Sequence, residues 1–385
     1  MAPPTEEGDI VAFELWRLPV NFFSLEQSAQ YEAIAKVTKK PEKITKPRAP
    51  CPMTFGDEAL AVLYFMLVLG VPLLIPVVTC GMLATRPALL RWWLPTLGFL
   101  AFHPIPKYRP WYRRNRIGVI LAKYFTITLL MDRNDPNCQR AGTPAVEENP
   151  VGTPVVTLAC PHGVLNWGAI TWVFFSRWIV GLEQYTAGAN VITRVPGLRY
   201  AAASLWAIPA DRGSLKRSLQ EEPRILDKKG QRFSTAVPRR GGKVGIVPDG
   251  IAGIFKSTPG KDVLFLGKKR GLMRICLEEG ATIFGGWFNG TSEMFYIVTD
   301  PFGIMEAISR KLKVSIFLFF GRWGSPVPRR VAVTMCARVV QCSKSAAPSE
   351  QEVESLHDEV YGGLSRRFDA MKHYCGYPDR TLEIQ

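Results

Sequence analysis

With 385 residues the chain is long enough for one large domain with appendages, and 48 basic against 33 acidic residues give a formal charge of +15. That excess calls for a polyanionic partner, and 47% hydrophobic residues with ten Trp favour a membrane surface over nucleic acid, for which no motif is present. Eight Cys with no CxxC and no framework spacing argue against a disulfide scaffold or a zinc site and read as reduced thiols on a cytosolic face.

Residues 1–52 are polar, with Glu6, Glu7 and Asp9 early and Lys36, Lys39, Lys40, Lys43, Lys46 and Arg48 late. This order lacks the basic start and apolar run of a secretory signal and predicts a mobile cytosolic arm. Residues 59–84 carry no charge and exceed the ~20 apolar residues that cross a hydrocarbon core. Gly70, Pro72 and Pro76 interrupt them, and a second apolar patch over 88–102 holds only Arg91. Cations flank the pair at 36–48 and at Lys107, Arg109, Arg113, Arg114 and Arg116. The positive-inside bias puts both flanks in the cytosol, so residues 53–104 are expected as an even number of crossings or a re-entrant hairpin bent at the Gly and Pro positions. Residues 105–154 follow as an interfacial helix over 117–131 and a linker over 132–154, rich in Asn, Asp, Gly and Pro.

Residues 155–385 read as one domain in which strands and helices alternate. Residues 155–158 predict a strand, a tight turn holds His162, and 165–181 predict a helix that is either core or laid against lipid. Short extended segments are expected at 191–193 and 205–208, and strands at 244–247, 263–266, 281–287, 294–298 and 330–340. Helices are expected at 268–279, with Gly280 at C′, and at the C-terminal end. In the latter, Ser349 and Glu352 form a capping box ahead of the stripe Val353, Leu356, Val360, Leu364, Phe368 and Met371. The fold class is α/β, a mixed, mostly parallel sheet flanked by helices. On its own residues His162 has two readings, a proton acceptor near neutral pH or a side chain that caps the helix or bonds a turn carbonyl.

The neighbours add a resemblance. Cys160-Pro161-His162-Gly163, between an apolar strand and an apolar helix and behind a basic-flanked membrane unit, resembles the active-site turn of the type 2 diacylglycerol acyltransferase family. Later blocks resemble the family in order: Val195-Pro196-Gly197-Leu198-Arg199 with Ile208-Pro209-Ala210-Asp211-Arg212, the Gly-rich stretch from Gly245 to Ala252 with Pro259-Gly260-Lys261, Lys269-Arg270-Gly271-Leu272, Phe288-Asn289-Gly290-Thr291-Ser292-Glu293, and Arg322-Trp323-Gly324. Together they cover the last two thirds of the chain.

The resemblance implies acyl transfer from acyl-CoA to diacylglycerol, with monoacylglycerols or fatty alcohols as alternative acceptors and a non-catalytic lipid-binding or scaffold protein as a second class. It implies a glycerolipid-acyltransferase-like fold with acyl-CoA as co-substrate, no resident cofactor and no metal. It also implies an endoplasmic reticulum membrane location, with the catalytic domain cytosolic and the lipid-droplet surface as a further site; homo-oligomerisation is left open. His162 would be the general base, with Asp249, Glu293 or no acid at all as its carboxylate partner, and Pro161, Gly163 and Asn166 the support of the turn and oxyanion. Lys261, Lys268, Lys269, Arg270, Gly271 and Arg212 would hold the CoA phosphates, and Trp167, Phe288, Asn289 and Gly290 would line a lipid pocket. Four positions depart from the family. Cys160 replaces its His or Glu and Gly253 its Glu, Asp249 stands where it has Gly, and Gly285 where it has Pro. Trp167 occupies the position of the Asp in the His-x4-Asp motif of the wider glycerolipid acyltransferases.

Overall fold

Runs of β-branched and aromatic residues set the strands. They are β1 (Ile10–Glu14), β2 (Thr38–Lys39), β3 (Thr128–Asp132), β4 (Val155–Cys160), β5 (Tyr185–Gly188), β6 (Ala207–Pro209), β7 (Lys243–Ile246), β8 (Asp262–Leu264), β9 (Thr282–Asn289), β10 (Tyr296–Ile297), β11 (Phe319–Phe320), β12 (Thr334–Val340) and β13 (Leu382–Ile384). The structure, a computed structural model, describes residues 9–105, 110–146, 154–181, 183–220, 242–298, 300–312 and 315–385. Glu6, Glu7, Lys107 and Arg109, used in the charge reading above, lie outside them.

Nine of these strands form one sheet in the order β2-β1-β3-β12-β9-β4-β7-β5-β6, while β10 pairs with β11 and β13 with β8. The sheet is mixed and flanked by helices, as expected, but less parallel than the expectation had it. From β9 through β4, β7 and β5 to β6 every pairing is parallel, but β12 runs antiparallel to β9, and β1 antiparallel to β2 and β3. β4 lies between β7 and β9 with all six residues buried, which is why it reads VVTLAC without polar alternation. Its C-terminal end is the end at which parallel sheets hold ligands.

Residues 10–39 are not a mobile arm. β1 pairs along its whole length with β3, Ile10 opposite Asp132 through Glu14 opposite Thr128. The Gln27–Lys36 helix and β2 complete the edge. Ile10, Phe13, Leu15, Leu18, Phe22 and Ile34 are buried, each contributing about 1.5–3 kcal/mol of transfer free energy. That gain offsets the entropy of ordering so polar a segment. The helix expected over 117–131 ends at Tyr124, and after Thr126 at φ +45° the chain becomes β3. An unbroken apolar run does not separate helix from buried strand. Residues 190–193 form a 3-10 turn instead of an extended segment.

The Trp167–Val180 helix is a core helix, with Trp167, Trp172, Phe175 and Ile179 sealed against the sheet and the N-terminal segments. The final helix, Glu350–Cys375, starts at the expected capping box and packs across β9 and β12.

Residues 55–85 form a 31-residue helix, the one helix among the described residues long and apolar enough to cross a membrane. The expected bend at Gly70, Pro72 and Pro76 is absent. A π turn at Met66–Gly70 lies just ahead of Pro72, and both Pro72 and Pro76 fall inside the continuous helix. The chain turns at Pro87–Leu89 and returns as Leu90–Phe102, with Trp93 Nε1 donating to Thr79 Oγ1 at 2.8 Å. Up to Gly70 the helix is embedded through Ala61, Phe65, Val68 and Leu69; neither Val71–Thr85 nor Leu90–Phe102 buries a residue. The Val195-to-Arg199 block grips the root of this unit. Arg199 Nη2 donates to His103 O at 2.7 Å, and a Cβ on Gly197, at φ +88°, would lie 2.4 Å from Leu67 O.

Candidate active site

β4 delivers Cys160, whose peptide to Pro161 is cis, and the chain turns at His162 and Gly163. Gly163 has φ +59°, and a Cβ there would lie 2.9 Å from Thr291 Cγ2, so glycine is required by conformation and by space. Buried Asn166 ties the turn to the next helix. Its Nδ2 donates to Pro161 O at 2.7 Å, and its Oδ1 accepts from Ala169 N–H at 2.8 Å as the N-cap. Pro161, Gly163 and Asn166 therefore support the turn. The helix start is less open to an oxyanion than expected, because the N–H groups of Trp167 and Ala169 are already bonded to Leu165 O and Asn166 Oδ1.

His162 is half-buried, with Nδ1 3.0 Å from Gly163 O. With the Nδ1 proton on that carbonyl, Nε2 carries the free lone pair. The carboxylate nearest the turn is Asp249, fully buried, whose Oδ2 accepts from the His162 backbone N–H at 3.1 Å. It holds the main chain of the turn, not the imidazole, so the expected His–carboxylate ring contact is replaced by a backbone one. Its Oδ1 is buried without a hydrogen-bond partner among the described residues. Burial pushes the Asp249 carboxyl above the usual carboxylate range, opposed by His162 and Lys269. Lys269 Nζ donates to Asp249 O at 3.3 Å.

Two of the positions noted as departures, 249 and 253, compete for one space. A Cβ on Gly253 would fall 2.0 Å from Asp249 Oδ2. The carboxylate of Asp249 fills the volume that a side chain at 253, one helical turn later, would occupy. Cys160 is fully buried, and burial, with Asp249 adding to it, keeps the thiol far above its ordinary value and protonated, so it is no nucleophile.

The other expected residues divide. Glu293 does not serve His162; its Oε1 accepts from Gly260 N–H at 2.8 Å and from Arg380 Nη2 at 2.5 Å. Lys268 and Lys269 are exposed on the turn that leads into Gly271, the exposed first residue of the Gly271–Glu279 helix, whereas Lys261, also exposed, stands at the other end of β8, just before Asp262. Arg270 leaves the cluster, since its guanidinium grips both oxygens of Glu354 at 2.6 and 2.9 Å; Arg212 is likewise taken by Glu278 at 2.6 and 2.7 Å. The proposed lipid-pocket residues are core. Trp167 is stacked against Phe125 and edge-on to Phe65, Phe288 lies under Gly168, Asn289 Nδ2 donates to Cys336 Sγ at 3.3 Å, and Gly290 sits against Ala332 O.

Sequence reasoning missed three contributors. The hydroxyls of Thr291 and Ser292 are buried without partners among the described residues, and Thr291 touches Gly163. Their block was marked, but nothing in its residue types says which member faces the turn. Arg380 ties Glu293 to buried Asp262, and β13 runs along β8, with Gln385 O accepting from the Leu266 and Gly267 N–H groups behind the lysine turn. A separation of 118 residues hides the Arg380–Asp262 pair from any local signal.

A family model described as diacylglycerol acyltransferase matches residues 94–385, which include the turn, its Asp249 and the lysine turn. The chain belongs to the diacylglycerol acyltransferase family. It is 24% identical over 244 residues to bovine (Bos taurus) diacylglycerol O-acyltransferase 2-like protein 6, covering 58% of this chain and 67% of that one. Against human (Homo sapiens) 2-acylglycerol O-acyltransferase 3 the identity is 24%, covering 58% and 66%. Against human diacylglycerol O-acyltransferase 2 it is 23%, covering 58% of each. The chain thus spans between about three fifths and two thirds of these relatives. No solved structure matches it. In this chain the buried carboxylate of the Gly-rich block is Asp249, one turn ahead of Gly253.

Proposed function

We propose that the protein is an acyl-CoA-dependent O-acyltransferase that esterifies diacylglycerol to triacylglycerol. The observation that carries the reading is the His162 imidazole at the mouth of the sheet, with Nδ1 committed to Gly163 O and Nε2 left as acceptor. Nε2 takes the hydroxyl proton as the acceptor oxygen attacks the thioester carbonyl, work typically worth ~10²- to 10⁴-fold. The tetrahedral intermediate expels CoA thiolate, which receives the proton from imidazolium. No covalent enzyme intermediate is needed. The unpartnered hydroxyls of Thr291 and Ser292 beside the turn supply donors for the oxyanion in place of the occupied helix start. Lys261, Lys268 and Lys269 neutralise the CoA phosphates.

The exposed hairpin supports a membrane location. Its arms of 15 and 13 residues are about 22 and 20 Å long, short of the ~30 Å hydrocarbon core, so it enters the bilayer and returns with both roots on the cytosolic side. The endoplasmic reticulum leaflet, where the acceptor dissolves, is the compartment this implies, with the lipid-droplet surface as an extension.

Relatives named for 2-acylglycerol keep a monoacylglycerol acceptor, and with it a fatty alcohol, as the second reading. Microsomes expressing the chain, given labelled acyl-CoA and a panel of the three alcohols, decide between them. Labelled triacylglycerol is expected; preference for another alcohol overturns the acceptor, and no ester with any of them overturns the enzyme in favour of a lipid-binding scaffold.

A further inference from the structure

A second apolar surface lies outside the hairpin. Phe302 is 84% exposed and Trp323 71% exposed, and between them Ile304, Ile308, Leu312 and Leu318 also face solvent. Ile304, Ile308 and Leu312 stand four residues apart on the Ile304–Leu312 helix, one stripe of an element about 14 Å long, too short to cross a bilayer and long enough to lie in its interface. Large contiguous apolar patches on a protein surface mark contact sites.

Two features of the surroundings identify what covers this one. The first is charge. Arg310 lies over Phe265, Arg322 over Trp323 at 4.1 Å and Arg329 over Tyr296, with Lys311 exposed beside them. The nearby acids are occupied: Asp300 accepts from Glu306 N–H, Glu306 pairs with Arg310 and Glu58 with Arg322. With Arg310 and Arg322 taken by those acids, Arg329 and Lys311 are the cations beside the apolar stripe without a carboxylate partner among the described residues, and they suit anionic headgroups above acyl chains. The second is continuity. Pro326 lies 3.6 Å from where a Cβ of Gly70 would stand, and Gly70 is where the apolar helix leaves the protein. On the other side Phe317 meets Phe255 edge-on, and Phe255 belongs to the Gly250–Lys256 helix that follows Asp249.

We propose that the Ile304–Leu312 helix, the β10–β11 ribbon and Trp323 form a second membrane contact, a wedge seated on the anionic surface of a phospholipid bilayer beside the hairpin root. It places the His162 turn one helix away from lipid, so the acceptor arrives sideways from the leaflet. The proposal rests on the membrane reading of the hairpin, and its test separates the two.

The full chain, in a Cys80→Ser, Cys342→Ser background, receives a nitrobenzoxadiazole label at Phe302→Cys, Leu312→Cys or, as the hairpin reference, Leu83→Cys. It is reconstituted in phosphatidylcholine vesicles with or without phosphatidylserine, carrying a nitroxide-lipid quencher. Labels at 302 and 312 are expected to lose fluorescence to the quencher as the label at 83 does, and to lose more when phosphatidylserine is present. Quenching at 83 without quenching at 302 and 312 overturns the wedge and leaves the hairpin standing. Quenching at 302 and 312 alone supports the wedge and overturns the hairpin, and quenching nowhere overturns both. Crosslinking between copies through the new thiol of the Phe302→Cys variant, without lipid quenching, assigns the patch to a second copy of the chain and overturns the bilayer as its occupant.

Discussion

Two buried carboxylates show how differently the fold treats a charge. Glu183 is surrounded by guanidiniums, with Arg113 at 3.2 Å, Arg114 in direct contact and Arg177 at 3.8 Å. Burial pushes its pKa up, but Arg114, Arg113 and Arg177 outweigh it and hold the carboxyl at about 2. Arg113, itself sealed and pulled down by burial to about 10, stacks on Trp206 at 3.6 Å and donates to the carbonyls of Ser204, Gln184 and Leu205. Asp249 has one backbone N–H, one oxygen without a partner among the described residues and a raised pKa. A saturated acid anchors structure. An under-bonded one, here accepting from the His162 backbone N–H, is the kind of perturbed group that the proposed function calls for at a site of chemistry.

The largest effect is expected from breaking the anchor. Glu183→Gln leaves buried Arg113 without its counter-charge and costs about 3–5 kcal/mol, a large share of a domain's ~5–15 kcal/mol. The thermal unfolding midpoint and the yield of folded protein fall together. The wild-type pair contributes fully above the ordinary carboxylate range and loses its contribution as pH falls from there toward about 2.

Asp249→Asn sharpens the contrast by separating activity from stability. Asn still accepts from His162 N–H but no longer fixes the turn as a carboxylate does, and transfer is expected to fall about a hundredfold, the scale of an ångström's misplacement. Stability moves the other way. A carboxyl with a raised folded pKa binds its proton more tightly when folded, so its ionisation costs stability as pH rises through that pKa. The Asn variant is therefore at least as stable as wild type at neutral pH, read by thermal unfolding across pH.

The exchange between 249 and 253 gives an intermediate effect. Gly253→Glu alone forces a side chain into the Asp249 carboxylate and lowers both activity and unfolding midpoint. Asp249→Gly with Gly253→Glu restores part of each; a double variant no better than the worse single one refutes the shared-volume account. The smallest effect belongs to Arg270→Ala and Arg212→Ala. Their side chains are taken by Glu354 and Glu278, so the KM for acyl-CoA stays within about twofold, as exposed pairs contribute little, whereas Lys261→Ala raises it more.

Where local chemistry decides, the sequence was readable. The Ser349–Glu352 box, Gly280 as a left-handed cap and the strand–turn–helix around His162 all follow from residues within a few positions. What was hidden depends on distant partners. β1 is a strand because β3 lies beside it, more than a hundred residues away. Arg270 and Arg212 are removed from the basic cluster by acids 84 and 66 residues distant. The apolar run at 117–131 divides at Thr126 because β3 is claimed by β1 and β12. Asp249 was legible as a candidate; that it would grip the backbone of His162 and not its ring was not, since sequence carries no rotamer.

Acyl transfer by His162→Ala, assayed in membranes with labelled acyl-CoA and diacylglycerol beside a wild-type control of equal expression and equal thermal unfolding midpoint, tests the central claim most directly. The account predicts loss of ~10²-fold or more in transfer with the fold intact. Transfer at the wild-type rate by that variant contradicts it.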